Sequence, residues 1–320
     1  MRHLVSCGVV ACLSLAAPMA SAFKPEQHKI FSRIALMTDC VKAALTSDDD
    51  RQSIAAAFPQ GADNEDSAIS TLLSRMRNWH YAKNRLMADT TWFLAIKVPY
   101  SDLHFHVPIP FPWKTNLDDV FEKRVEDLHA AAESGGQCSA GDIFEKAGRV
   151  THYLQDMRVP AHVLPVDHGF PFAGDDDFDH GLLVTFDLGK VKAACAATTE
   201  SALRTSRSQI AWRLARARRA TLAWLSGPAI KDGVRVEACR WDRVFWCNPR
   251  MATCPKAHYA GFGSYADDHA GWGASRARCG GLEGDVDYSA AQPGYDDMME
   301  DTVFMALYAK ALLDRCRDCR

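Results

Sequence analysis

Thr151-His152-Tyr153-Leu154-Gln155-Asp156-Met157-Arg158-Val159-Pro160-Ala161-His162 is the stretch whose reading decides the fold. His152 and Asp156 stand four residues apart, the spacing that places two side chains on one face of an α-helix; Pro160 then ends the helix and lets His162 turn back toward it. Two imidazoles and a carboxylate in that arrangement are what a first-row divalent metal, zinc above all, requires of a protein. A single histidine on a helix is more often a satisfied side chain than a ligand, and it is the spacing that favours the metal.

Working outward, apolar residues recur at helical spacing on both sides of this stretch. Ile30, Phe31, Ile34, Ala35, Val41 and Leu45 predict a helix from Gln27 to Leu45, opened by Pro25. Further helices are expected at Asp66 to Met76, Leu117 to Ala132, Gly141 to Met157, Leu182 to Ala197, Ala202 to Trp224 and Asp296 to Leu313. Residues 88–112, rich in aromatics and proline, read as a long surface loop or a short extended excursion. Residues 233–293 hold many Gly, Cys and Trp with almost no periodicity, and read as a disulfide-tied loop region instead of a second domain. The expected fold class is all-α, a single multi-helix domain over residues 23–320 with long disulfide-tied loops.

The chain has 320 residues, 48% hydrophobic, with a formal net charge of -3, enough for one large globular domain and without the basic footprint of a general nucleic-acid binder. Residues 1–22 read as an export signal: Arg2, the apolar run Cys7 to Leu15, and the small-x-small cleavage site Ala20-Ser21-Ala22. The mature chain is then expected to begin at Phe23 and to be secreted or periplasmic. The apolar run is too short for a membrane span, and Val9-Val10-Ala11-Cys12 is only a loose lipobox. Nine of the eleven cysteines remain after cleavage, and in an exported protein they read as disulfides with one odd thiol left over. A zinc cluster of Cys239, Cys247, Cys254 and Cys279 lacks the paired C-x-x-C knuckle, and Cys316-x-x-Cys319 lies at the chain end.

Other metal-competent residues fall near the expected helix ends. His28 follows Phe23 by five residues, close enough for the new α-amine and the imidazole to share an ion, the amine and its own carbonyl forming a five-membered chelate. Asp63 and Asp66 lie at what reads as a helix start, where capping is the commoner use of an acid, and His80 follows in Asn78-Trp79-His80-Tyr81.

With these residues in view, the chain resembles the zinc-dependent phospholipase C and S1/P1 nuclease superfamily. His152-Tyr153-Leu154-Gln155-Asp156, with His162 six residues further on, is similar to the family's HYLGD followed by PMH or PLH. The recognisable motifs cover Phe23 to about His180. The resemblance implies a largely helical exported enzyme holding three zinc ions, and implies their ligands: Asp66, His80, His152 and one oxygen of Asp156 for the first zinc; His28, the Phe23 amine and carbonyl, and the other Asp156 oxygen for the second; His162, His168 and Asp179 for the third. The family usually places His and a carboxylate four apart after the position of His162. That pair is absent here, so Asp175 or His180 is the alternative for the third zinc, and Asp63 the alternative to Asp66. Phe23 stands where relatives carry Trp, and Lys83 where the nucleases carry a base-reading Asp.

The implied chemistry is phosphodiester hydrolysis, with the paired zinc ions lowering the pKa of a shared water, the third balancing charge on the phosphoryl oxygens, and Asp66 as general base or water-orienting group. The leading expectation is a phospholipase C that cleaves glycerophospholipids to diacylglycerol and a phosphorylated head group. Its partner would be a phospholipid or membrane surface, with Trp92, Phe93, Phe105, Phe111 and Trp113 as an interfacial rim or as packing of a loop. The alternatives are a single-strand nuclease or 3′-nucleotidase, which alone would take nucleic acid, and a non-catalytic secreted zinc-binding protein. No protein partner is implied.

Overall fold

The computed structural model describes residues 25–65, 93–97, 104–108, 117–133, 138–163, 186–204, 207–231, 234–240 and 292–319. They are mostly helical: α1 (Pro25–Leu36), α2 (Asp39–Ala44), α3 (Asp48–Asn64), α4 (Leu117–Glu133), α5 (Ala140–Asp156), the single turn α6 (Pro160–Val163), α7 (Leu188–Arg204), α8 (Arg207–Leu225) and α9 (Gln292–Asp318). Two short antiparallel pairs accompany them. β1 (Phe93–Lys97) pairs with β2 (His104–Pro108), Ala95 opposite His106; β3 (Pro228–Lys231) pairs with β4 (Val234–Arg240) through an irregularity between Pro228 and Ala229. The extended excursion is therefore the reading that fits residues 93–97 and 104–108, and the loop region after residue 233 begins with a strand. No helix among the described residues is long and apolar enough to cross a membrane.

Helix α5 is central because its C-terminal half is buried on every side. Ser139 caps it, its hydroxyl accepting from the Asp142 N–H at 3.3 Å, and every residue from Val150 to Asp156 is buried. It packs against α3, α4 and α9. Phe58 of α3 meets Phe144 edge-on, ring centroids 6.2 Å apart. In α9 the run from Asp301 to Ala309 is buried throughout, so this long helix also lies inside the bundle. Two disulfides join elements distant in sequence: Cys40 of α2 to Cys195 of α7, and Cys138 just before α5 to Cys316 in the last turn of α9, with Cα–Cα distances of 5.7 and 5.8 Å. Cys319 is an exposed free thiol.

Three local expectations are corrected. The helix predicted from Gln27 to Leu45 is two, broken at Met37 and Thr38, whose hydroxyl donates to the Ala35 carbonyl at 2.7 Å and turns the chain. The segment around Asp63 is a helix end, because α3 runs to Asn64 and Glu65 caps it. That helix was not predicted, since Pro59 and Gly61 inside it argue against one locally. The boundary between the helices at 182–197 and 202–224 also moves, to between Arg204 and Arg207. The helix expected from Asp66 lies outside the described residues.

What overrides propensity in α3 is contact. A Cβ on Gly148 of α5 would overlap the Phe58 carbonyl and come within 2.8 Å of the Ala62 nitrogen, and one on Gly61 would overlap the Glu145 carbonyl. The two helices therefore touch backbone to backbone, which only glycine allows. Gly148→Ala is expected to lose about 1–3 kcal/mol of stability by overpacking in chemical denaturation. Gly141→Ala, where the nearest atom is the Ser139 hydroxyl at 3.8 Å, should be neutral or gain up to about 1 kcal/mol. Equal losses at the two positions would contradict the close crossing.

Candidate metal centre

The last turn of α5 presents His152, Gln155 and Asp156, all fully buried, on one face. Opposite them α1 supplies His28, also fully buried. The two imidazole rings lie 4.1 Å apart between centroids, tilted by 33°. Each addresses a different oxygen of the same carboxylate: His28 Nε2 is 3.5 Å from Asp156 Oδ1, and His152 Nε2 is 3.2 Å from Asp156 Oδ2. Pro160 opens α6, which carries His162 back so that its Nδ1 is 4.0 Å from Asp156 Oδ2. The Thr221 hydroxyl of α8 holds that return by donating to the Met157 carbonyl at 2.7 Å.

The other nitrogen of His152 is held by backbone. Its Nδ1 lies 2.8 Å from the Ala62 carbonyl oxygen in the last turn of α3, among the carbonyls a helix end leaves to outside donors. A carbonyl only accepts, so Nδ1 carries the proton and the lone pair of neutral His152 is on Nε2, facing Asp156. Ring nitrogen outward to a carbonyl and inward to a metal is the usual arrangement of a ligating histidine. His28, His152 and Asp156 can each offer one ligand atom with all of these within 4.8 Å of one another. Two imidazoles and a carboxylate around one buried point suit a borderline divalent cation such as zinc. A cation would offset the cost of burying the carboxylate.

Of the other residues expected to take part, Asp63 is described and does not join this group. It pairs with Lys29 at 2.8 Å and accepts from the Gln60 amide at 3.1 Å. Phe23, Asp66, His80, His168, Asp175, Asp179 and His180 lie outside the described residues, as do the side chains of Trp92, Phe93, Phe105, Phe111 and Trp113.

The carboxylate that secures this end of α3 has no signature in the sequence. Glu65, fully buried, forms an ion pair with Arg124, whose Nε lies 2.8 Å away, and accepts hydrogen bonds from Arg124 Nη2 at 3.1 Å, from Arg149 Nη1 at 2.8 Å and from the Tyr153 hydroxyl at 2.6 Å. These partners are 59, 84 and 88 residues away, so no local pattern could announce them. The cluster stands directly behind His152 and fixes the Ala62 carbonyl relative to Tyr153. Burial pulls the Glu65 carboxyl upward, but the Arg124 charge and the hydrogen bonds from Arg124 and Tyr153 outweigh it and hold the pKa below the ordinary value of 4.5. Burial and the Glu65 charge together raise the Tyr153 hydroxyl well above its ordinary value.

A carboxyl with a lowered folded-state pKa contributes stability that is fully present above the unfolded value and lost as pH falls through the folded one. Glu65→Gln is therefore expected to lower stability by roughly 3–5 kcal/mol at neutral pH, the cost of breaking a buried charge network, with the deficit shrinking as pH falls below 4.5. Urea melts of both proteins across the acid range check this, and a deficit independent of pH would count against it. No protein-family model matches the chain, and neither a curated protein nor a solved structure matches it.

Proposed function

We propose that the protein is a secreted or periplasmic zinc-dependent phosphodiester hydrolase of the phospholipase C and S1/P1 nuclease type, acting as a phospholipase C on glycerophospholipids. The observation that carries this reading is the buried convergence of His28, His152 and Asp156, in which each carboxylate oxygen faces a different imidazole. Such a carboxylate is suited to bridging two ions, the part the family resemblance gives to Asp156. Bound zinc would supply Lewis acidity and lower the pKa of a water to near neutrality. In this reading, His28, His152 and Asp156 would hold zinc, and His162, with His168 and Asp179, would hold a further ion. Asp66, immediately after the anchored Glu65, orients the attacking water and accepts its proton. The Phe23 amine and carbonyl would join His28 in holding an ion, which would make cleavage of the signal segment part of assembling the site.

A closed structural zinc is usually held by four Cys or His ligands, whereas a carboxylate-containing set suits ions with open positions; this favours an enzyme over a binding protein. Lys83, in place of the nucleases' base-reading Asp, favours lipid over nucleic acid.

The mature chain starting at Phe23 is expected to bind about three zinc ions and to hydrolyse phosphatidylcholine faster than single-stranded DNA. The reverse preference would make it a nuclease, and no turnover of either by zinc-loaded protein would make it a binding protein. His152→Ala and Asp156→Ala should lose both zinc and activity; unchanged zinc content would contradict the ligand assignment. One extra residue before Phe23 should impair activity, and full activity in that chain would remove the amine from the site.

A further inference from the structure

We infer that Gln155 is a positioning residue: through a hydrogen-bond chain anchored on α9, it fixes which ring nitrogen of His28 faces Asp156. The inference rests on the metal-centre reading above and assigns a role to a residue that stands where the resembled family carries glycine.

The chain can be read from its far end. The Thr302 hydroxyl lies 2.8 Å from the Met298 carbonyl, which can only accept, so the single hydroxyl proton is directed there. The same Thr302 oxygen is 3.2 Å from Gln155 Nε2, and with its proton already engaged it accepts from the amide. That orients the Gln155 side chain and leaves its Oε1 facing His28 Nδ1 at 2.6 Å. An amide oxygen only accepts, so Nδ1 carries the proton. A neutral imidazole has one N–H, and the lone pair of His28 therefore lies on Nε2, the atom 3.5 Å from Asp156 Oδ1. Reversing the chain would turn the Thr302 proton away from the Met298 carbonyl and toward Gln155, at the cost of that hydrogen bond. His28, Gln155 and Thr302 are all fully buried, so bulk water does not compete with these partners.

The consequence is a histidine set for coordination before any ion arrives. His152 obtains the same orientation from the Ala62 carbonyl, a partner no side-chain substitution can remove, whereas His28 obtains it from the Gln155 amide. A hydrocarbon at position 155 would take the Gln155 acceptor away from buried Nδ1, and the ring would favour the other tautomer or rotate, directing a proton toward the metal. Partners of this kind typically contribute 10–100-fold in metal affinity.

Zinc affinity by chelator competition on the full mature chain, with Gln155→Leu, Gln155→Glu and Thr302→Val, tests the assignment, together with histidine 15N spectra of zinc-free wild type at alkaline pH. Gln155→Leu should bind zinc 10–100-fold more weakly. Gln155→Glu, which keeps an acceptor against Nδ1, should stay within about threefold of wild type, and Thr302→Val should fall between the two. The spectra should show His28 protonated on Nδ1. Wild-type affinity in folded Gln155→Leu, or His28 protonated on Nε2, would overturn the inference. If Gln155→Leu does not fold, retained affinity in Gln155→Glu and the wild-type tautomer support the inference, and their opposites overturn it. Should wild type bind no zinc at all, the metal reading fails alone, and the tautomer still decides the role of Gln155.

Discussion

The candidate site depends on a contact that contains no functional group. Helices α3 and α5 meet backbone to backbone at Gly61 and Gly148, and a single added methyl group at either would collide with a carbonyl of the partner helix. Because the crossing is so close, the last turn of α3 lies against the last turn of α5. The Ala62 carbonyl then reaches His152, and Glu65 reaches Tyr153 and Arg149. Gly and Pro59 weaken α3 as an isolated helix, Pro59 alone by about 3 kcal/mol. The helix persists because packing against α5 repays that loss, and a stronger helix former at Gly61 would destroy the approach that the site needs.

This divides what could be read in the sequence from what could not. The course of α5 was legible, because apolar residues at helical spacing and Pro160 as a stop act within a few residues. His152 and Asp156 followed from the helical period alone. His28 was found only through the resemblance and its nearness to the expected mature terminus; its meeting with Asp156 across the bundle is a tertiary fact. Helix α3 was hidden because its stability comes from α5, not from its own residues. Ala62 offers only a backbone oxygen and leaves no trace in sequence. Gln155 was visible as the one changed letter in a familiar motif, but its role needs Thr302, 147 residues away.

Two buried charge networks bracket the site and do similar work. On one side, Glu65 gathers Arg124, Arg149 and Tyr153 and joins α3, α4 and α5. On the other, Asp301 of α9 accepts from Arg213 Nη1 at 2.5 Å and Arg216 Nη2 at 2.9 Å on α8, and faces Arg158, just beyond α5, at 3.5 Å. Arg158 is only 2% exposed; burial lowers its pKa, against the opposing pull of Asp301 and Asp297. Networks of this kind add little net stability, since desolvation consumes most of the Coulomb attraction, yet breaking one is costly. Their value here is geometric. Apolar packing tolerates sliding and repacking, whereas a carboxylate gripped by two guanidinium groups admits one arrangement.

That distinction bears on how a buried metal-competent group can exist before it holds an ion. Three imidazoles, each within about 4 Å of one buried carboxylate, would, in a pliable core, move apart or recruit water. Here each is tied from behind: His152 to a helix-end carbonyl, His28 to Gln155, and the return that carries His162 to Thr221. The cost of holding these groups together is spread over folding as a whole, through the two networks and through disulfides closing loops of 155 and 178 residues, each contributing about 5 kcal/mol by loop entropy. Binding then has little ordering left to do, so more of the ligand–metal interaction appears as affinity.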